Sequence, residues 1–86
     1  MPEASGYESH LSREAVAAVV ALSKKRQRLV LDLADQIALQ PFQIGDYQTV
    51  DAVGRPVENL RLEGYLFSYW VDHASREVRI SDIVRI

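Results

Sequence analysis

The chain changes its hydrophobic repeat near the middle, at Pro41. Before this residue, apolar side chains recur at every third or fourth position, which is the spacing of one face of an α-helix. After it, apolar and polar residues alternate, as they do in β-strands with one buried face. The change predicts an α+β domain in which an N-terminal helical hairpin packs on one face of a three- to four-stranded antiparallel β-sheet.

The helical part contains two apolar sets, one within residues 15–22 and one within residues 29–37, separated by a polar run at 23–28. This pattern fits one helix over residues 12–39, about 42 Å long at 1.5 Å per residue. It also fits a hairpin that turns near residues 23–25. We favour the hairpin, because a single helix of that length would leave much of its apolar face uncovered in so small a domain.

Turn-forming residues divide the rest of the chain into strands. A short first strand is expected at residues 7–11, before a helix that Ser12 is suited to cap. After Pro41, strands are expected at residues 47–52, 57–63, 65–72 and 77–86. Alternation then assigns the side chains to two faces of the sheet. Those expected to face the helices are Leu60, Leu62, Tyr65, Phe67, Tyr69, Val71, Val78, Ile80 and Val84. Those expected on the opposite face are Arg61, Ser68, Trp70, Arg79, Ile83 and Arg85.

Length and composition predict one folded domain, residues 7–86, after a flexible tail at residues 1–6. The chain has no cysteine, so it forms no disulfide, and a reducing cytoplasm is the expected location. Its longest apolar run is too short to span a membrane, so no membrane partner is expected. Two histidines without metal-ligand spacing predict no metal site.

The charge of the second half of the chain bears on whether it binds nucleic acid. Residues 41–86 carry five arginines and seven aspartates or glutamates, a net charge of −2. Surfaces that bind nucleic acid usually have an excess of Lys and Arg. The predicted sheet lacks that excess, which disfavours tight binding of RNA by the sheet alone.

The order of helices, proline and strands resembles the RelE/ParE superfamily of bacterial toxins over residues 7–86. The positions that carry the resemblance in the sheet are Gly64, Tyr65, Phe67, Tyr69, Asp72, Val78 and Ile80, and those in the helices are Leu22, Leu29, Leu33 and Ile37. The resemblance implies the toxin component of a type II toxin–antitoxin pair, with a cognate antitoxin protein as its partner and no cofactor. It implies growth inhibition either by ribosome-dependent cleavage of mRNA or by binding a target such as DNA gyrase.

For the cleaving mechanism, the resemblance implies arginines that stabilise the scissile phosphate, and the candidates are Arg61, Arg79 and Arg85. The arginine expected on the central strand falls at Leu66, and no lysine follows Lys25. These departures favour the form that binds a target without catalysis. The alternative is a non-toxic, non-catalytic interaction module of the same fold, whose sheet binds a partner helix.

Three further features have more than one interpretation. Trp70, with Ser68 and Ile83, is expected to anchor a partner on the open face, although Trp70 could instead stack a base or lie in the core if the alternation is displaced by one residue. His73 could act as a general acid or base, but we interpret it as a turn residue. The basic cluster Lys24, Lys25, Arg26 and Arg28 could dock on phosphates, but we interpret it as the solvated end of the helical hairpin.

Overall fold

A five-stranded sheet carries two helices on one of its faces. The computed structural model describes residues 5–86. Its elements are β1 (Glu8–Leu11), α1 (Arg13–Val20), α2 (Lys24–Leu39), β2 (Tyr47–Val50), β3 (Pro56–Leu62), β4 (Tyr65–Asp72) and β5 (Glu77–Arg85). The strand order is β1-β5-β4-β3-β2. Of the predicted tail, residues 1–4 lie outside the described residues.

Two helices precede Pro41, as predicted, and the helical conformation is interrupted between them at residues 21–23. Serine caps begin both helices: the hydroxyl of Ser12 accepts a hydrogen bond from the Ala15 N–H, and that of Ser23 accepts one from Arg26. The predicted hairpin differs in detail, because α1 packs mainly on β5 and α2 mainly on β1, with few contacts between the helices. No helix in the described part of the chain is long and apolar enough to cross a membrane.

The sheet differs in detail from the predicted antiparallel sheet with three or four strands. Strands β2 to β5 pair antiparallel, but β1 adds a fifth strand that runs parallel to β5. The predicted first strand therefore exists, and its position in the sheet was the unexpected part. Periodicity identifies a strand by its alternation, but it carries no information about which distant strand becomes its neighbour.

The core lies between the helices and the inner face of the sheet. Its largest fully buried side chains are Tyr65, Tyr69, Phe67, Ile37, Ile80, Val30 and Val78. Most residues predicted to face the helices are therefore confirmed, and Leu62 and Val71 are partly buried against this cluster. Val84 is an exception, because it is 44% exposed, whereas its neighbour Ile83 is only 4% exposed.

A β-bulge in the last strand explains the exchange of Val84 and Ile83. Ser68 pairs with Asp82, but the next residue, Tyr69, pairs with Ile80, so Ser81 has no partner of its own in β4. One extra residue shifts the alternation of every later side chain by one position. The placement of Ile83 on the open face was therefore wrong.

Candidate functional site

The face of the sheet opposite the helices is uncovered, and we call it the open face. Its central side chains are Asn59 and Arg61 from β3, Ser68 and Trp70 from β4, and Glu77 and Arg79 from β5, as the strand registers show. The neighbouring β1 adds His10, which lies beside Arg79. Predicted and unpredicted candidates thus lie on one surface.

The three predicted arginines do not converge. Arg61 lies opposite Leu66, whereas Arg79 lies opposite Trp70, on the other side of β4. Given the rise along a strand and the spacing between strands, their backbones are about 16 Å apart. Arg85 lies opposite Tyr65, whose side chain is buried on the helix side, so Arg85 does not reach the open face at all.

Arg79 belongs to a polar network that the sequence did not reveal. Its Nη2 donates to Oε1 of Glu77 at 2.5 Å, and Oε2 of Glu77 lies 2.9 Å from Nε2 of His10. Ser75 also donates to Glu77, at 3.0 Å. Side chains of His10 and Arg79 remain 41% and 47% exposed. A carboxylate between an imidazole and a guanidinium can accept a proton beside a group that stabilises an anion.

Trp70 lies on the open face and is half-buried. The guanidinium of Arg55 covers its ring, and Nε of Arg55 donates to Asp51 at 2.9 Å. The hydrogen bonds from the backbone and side chain of Arg55, with one from the Val53 N–H, hold the pKa of Asp51 below its usual value. Asp51 therefore stays charged at neutral pH and fixes the arginine that covers the tryptophan. Beside Trp70, a hollow of about 120 Å³ also borders His10 and Arg79.

The predicted partner-binding set, Trp70, Ile83 and Ser68, is only partly assembled. Ile83 is buried among the core residues for the reason given above. The Ser68 hydroxyl is used internally, because it donates to Oδ1 of Asn59 at 2.7 Å. Asn59 is itself only 4% exposed, and its Nδ2 donates to the Thr49 hydroxyl at 3.0 Å. Trp70 is thus the one member of this set whose ring is available on the open face.

His73 lies in the turn between β4 and β5, as predicted. Its ring stacks on Phe42, with centroids 5.0 Å apart, and its Nδ1 lies 2.8 Å from the hydroxyl of Tyr7. His73 therefore connects the N-terminal segment to the turn, a contact across 66 positions of sequence that no local pattern could indicate. In the same turn, hydrogen bonds from Ser75 and Ala74 hold the pKa of Asp72 below its usual value.

A larger groove of about 560 Å³ runs from this turn to Trp70. Its lining includes Phe42, Ile44, Arg55, Trp70 and His73. Phe42 and Ile44 are each 76% exposed, so this end of the sheet presents apolar surface next to the open face. Within residues 5–86, no group of three or more His, Cys, Asp and Glu side chains is placed to hold a metal ion.

The similarity of this chain to known proteins lies in its structure and not in its sequence. No protein-family model matches the sequence, and no curated protein matches it. A chain of the RelBE2 toxin–antitoxin complex from Mycobacterium tuberculosis has a similar structure, with a TM-score of 0.76 and 16% identity over 93% of this chain and 98% of that one. A chain of the archaeal RelE–RelB complex from Pyrococcus horikoshii gives 0.69 and 18% over 93% and 94%.

The isolated RelE toxin from E. coli is also similar, with a TM-score of 0.64 and 15% identity over 92% of this chain and 83% of that one. These likenesses extend over nearly the whole chain. They show that the protein has the fold of the RelE toxins, which the resemblance had implied.

Proposed function

We propose that this protein is the toxin component of a type II toxin–antitoxin pair. It acts in the cytoplasm and inhibits bacterial growth, and a cognate antitoxin neutralises it. The observation that carries the proposal is the likeness over 93% of the chain to chains crystallised in toxin–antitoxin complexes. The uncovered sheet agrees with it, because an antitoxin needs a surface to cover, and Trp70 offers an aromatic anchor there.

The mechanism that we propose first is ribosome-dependent cleavage of mRNA on the open face. In this reaction the 2′-hydroxyl of one nucleotide attacks the adjacent phosphorus. The bond to the 5′-oxygen of the next nucleotide breaks, and water protonates that oxygen. Glu77, aided by His10, would accept the proton of the 2′-hydroxyl. Arg79 would stabilise the charge that develops on the phosphate oxygens. The products are a 2′,3′-cyclic phosphate and a 5′-hydroxyl.

A second mechanism, binding to a target such as DNA gyrase without catalysis, is favoured by a specific observation. Arg61 and Arg79 stand about 16 Å apart by strand geometry, and Arg85 lies on the other side of the sheet. The three arginines therefore cannot surround one phosphate as the resemblance implied. In this mechanism the open face and Trp70 would contact the target protein directly.

The test is induced expression of the protein in bacteria, alone and together with the product of the adjacent gene. Growth arrest that the second gene relieves is the expected result. Incubation with ribosomes and a defined mRNA, followed by mapping of the RNA ends, separates the two mechanisms. New 5′-hydroxyl ends that need ribosomes support cleavage, whereas growth arrest with intact mRNA supports target binding. Normal growth at high soluble expression would instead indicate the non-toxic interaction module.

A further inference from the structure

Five basic side chains gather at one end of the molecule, on the helix side of the sheet. Four of them begin α2, and the fifth comes from the end of β5. We call this surface the basic end, and its members are Lys24, Lys25, Arg26, Arg28 and Arg85. Arg26 marks the meeting point of the two elements, because its Nη1 donates to the hydroxyl of Tyr65 at 3.1 Å. Arg85 lies opposite Tyr65 in β5 and on the same face of the sheet.

These cations have little compensation inside the protein. Within the described residues none of the five forms a salt bridge, and all but Arg26 are exposed. The first turn of α2 contains no acidic residue. The two elements contain four acidic side chains, Asp32 and Asp35 in α2 and Glu77 and Asp82 in β5. Asp32 is the nearest of these in α2, one turn after Arg28, and Glu63 lies in the turn before Tyr65.

The arrangement is also unfavourable for the helix itself. The start of a helix is the positive end of its dipole, where acidic side chains stabilise and basic ones destabilise. Lys24 and Arg28 are moreover one turn apart, a spacing at which like charges repel. Local rules of this kind are broken most often at functional or strained sites.

The rest of the molecule has the opposite charge. The whole chain carries ten basic and twelve acidic side chains. Counted with Asp32 and Glu63, the basic end has five basic and two acidic side chains, which leaves five basic against ten acidic in the rest of the chain. The charge is therefore strongly segregated, although the net charge is only −2. Such segregation orients a long anion toward one end of the protein and repels it from the others.

We infer that the basic end binds the phosphate backbone of RNA, at a surface separate from the open face. The inference rests on the proposed function, in which the protein acts on ribosome-bound RNA. A groove of about 520 Å³ follows the exposed side of α2, and its lining contains three cations and one carboxylate, from Lys25, Arg26, Arg28 and Asp32, with Ser23 and Leu29. The basic end has no exposed aromatic residue, so it lacks both a platform for bases and the usual anchor for a protein partner. Exposed ammonium and guanidinium groups without such anchors suit phosphates, recognised by charge rather than by sequence.

The experiment measures binding of a fluorescently labelled 20-base-pair RNA duplex to the purified protein by anisotropy, at several KCl concentrations. The variant Lys25→Gln/Arg28→Gln removes two charges from the basic end. The matched control Arg13→Gln/Arg76→Gln removes two exposed charges elsewhere. We expect the basic-end variant to bind at least about tenfold more weakly at 100 mM KCl. Its slope of log K against log salt should fall by roughly one for each phosphate contact removed.

The control variant should bind within about twofold of the wild type. Equal weakening in both variants, or no binding by the wild type at 50 mM KCl, would overturn the inference. So would tighter binding of poly-L-glutamate than of RNA with the same dependence on Lys25 and Arg28, since that would indicate an acidic protein partner. Thermal unfolding checks the fold, and the basic-end variant should melt at the wild-type temperature or above it, because repulsion at the start of α2 is relieved.

The inference and the proposed function fail separately. A wild-type protein that arrests growth but does not bind the duplex leaves the toxin proposal intact and refutes the basic end as an RNA surface. A protein that binds the duplex through Lys25 and Arg28 but does not slow growth would support the basic end as an RNA surface and refute the toxin proposal. Adding Arg85→Gln to the basic-end variant should weaken binding further, which tests whether β5 contributes to the same surface.

Discussion

The guanidinium carbon of Arg55 lies 3.6 Å from the centroid of the Trp70 ring. Because Asp51 fixes Arg55 through its Nε, the arginine is held over one side of the ring while the remaining edge lines the groove at the end of the sheet. Stacking of this kind contributes about 0.5–1 kcal/mol at an exposed site. The only tryptophan of the chain is thus held in one orientation on the open face.

Trp70→Ala is expected to weaken the complex with the antitoxin by about 2 kcal/mol or more, while the isolated domain stays folded, because a half-buried aromatic anchor is lost. Titration calorimetry measures the affinity. Arg55→Gln is the matched control, since it removes the stacked cation and leaves the ring, and it should have a smaller effect. Tryptophan fluorescence should shift to the blue on adding the antitoxin. An emission maximum that is already blue in the free protein and does not respond would show that Trp70 is no partner anchor.

The fold was largely predictable because its helices and strands follow local repeats. The Ser12 cap follows from its residue type, and the break near residues 23–25 and the inward positions of Tyr65, Phe67 and Tyr69 follow from spacing. Ile83 could not be placed correctly, since the bulge at Ser81 depends on how two strands pair and leaves no mark in the alternation.

The candidate site was less predictable than the fold. Glu77 and His10 are far apart in the sequence and meet only because β1 joins the sheet beside β5 in a parallel pairing. The alternation of residues 8–11 indicated a strand, but nothing in it indicated the neighbour. Arg85 was assigned to the wrong face for the same reason as Ile83, because the bulge precedes both residues.

If the protein cleaves mRNA on the ribosome, Arg79→Ala should reduce the rate about ten- to a hundredfold, equivalent to roughly 1–3 kcal/mol of transition-state stabilisation. Glu77→Gln should reduce it at least as much, because the amide cannot accept the proton. Arg85→Ala is the matched control and should leave the cleavage step unchanged in single-turnover reactions at saturating ribosome. Arg61→Ala tests whether the distant arginine contributes. His73→Ala should have little effect, and a large loss there alone would assign the chemistry to the other end of the sheet.

Asn59 should be the polar residue on which the sheet depends most. Its side chain joins three strands, since it donates to Thr49 in β2 and accepts from Ser68 in β4. Asn59→Ala is expected to reduce the free energy of unfolding by about 2–3 kcal/mol, because the buried site loses its hydrogen bonds and leaves partners unsatisfied. Thr49→Val, at an exposed partner, should reduce it by less than about 1 kcal/mol. Urea unfolding followed by circular dichroism measures both, and a loss below about 1 kcal/mol for Asn59→Ala would show that the network contributes little.

Tyr69 should make the protein sensitive to alkaline pH. Burial, with the nearby Glu58 carboxylate, raises the pKa of Tyr69 to about 12 in the folded protein, whereas in the unfolded chain it is about 10. Between these values the unfolded chain loses the proton first, so stability that is fully present below about pH 10 is lost as the pH rises toward about 12. Tyr69→Phe removes the hydrogen bond to the Gln43 carbonyl and should reduce the free energy of unfolding by about 1 kcal/mol at pH 8. It should, however, make the decline above pH 10 shallower. Tyr47→Phe, at an exposed position on β2, should keep the wild-type decline. Urea midpoints measured at half-unit steps from pH 8 to 11 test this, and parallel declines in wild type and Tyr69→Phe would show that another group is responsible.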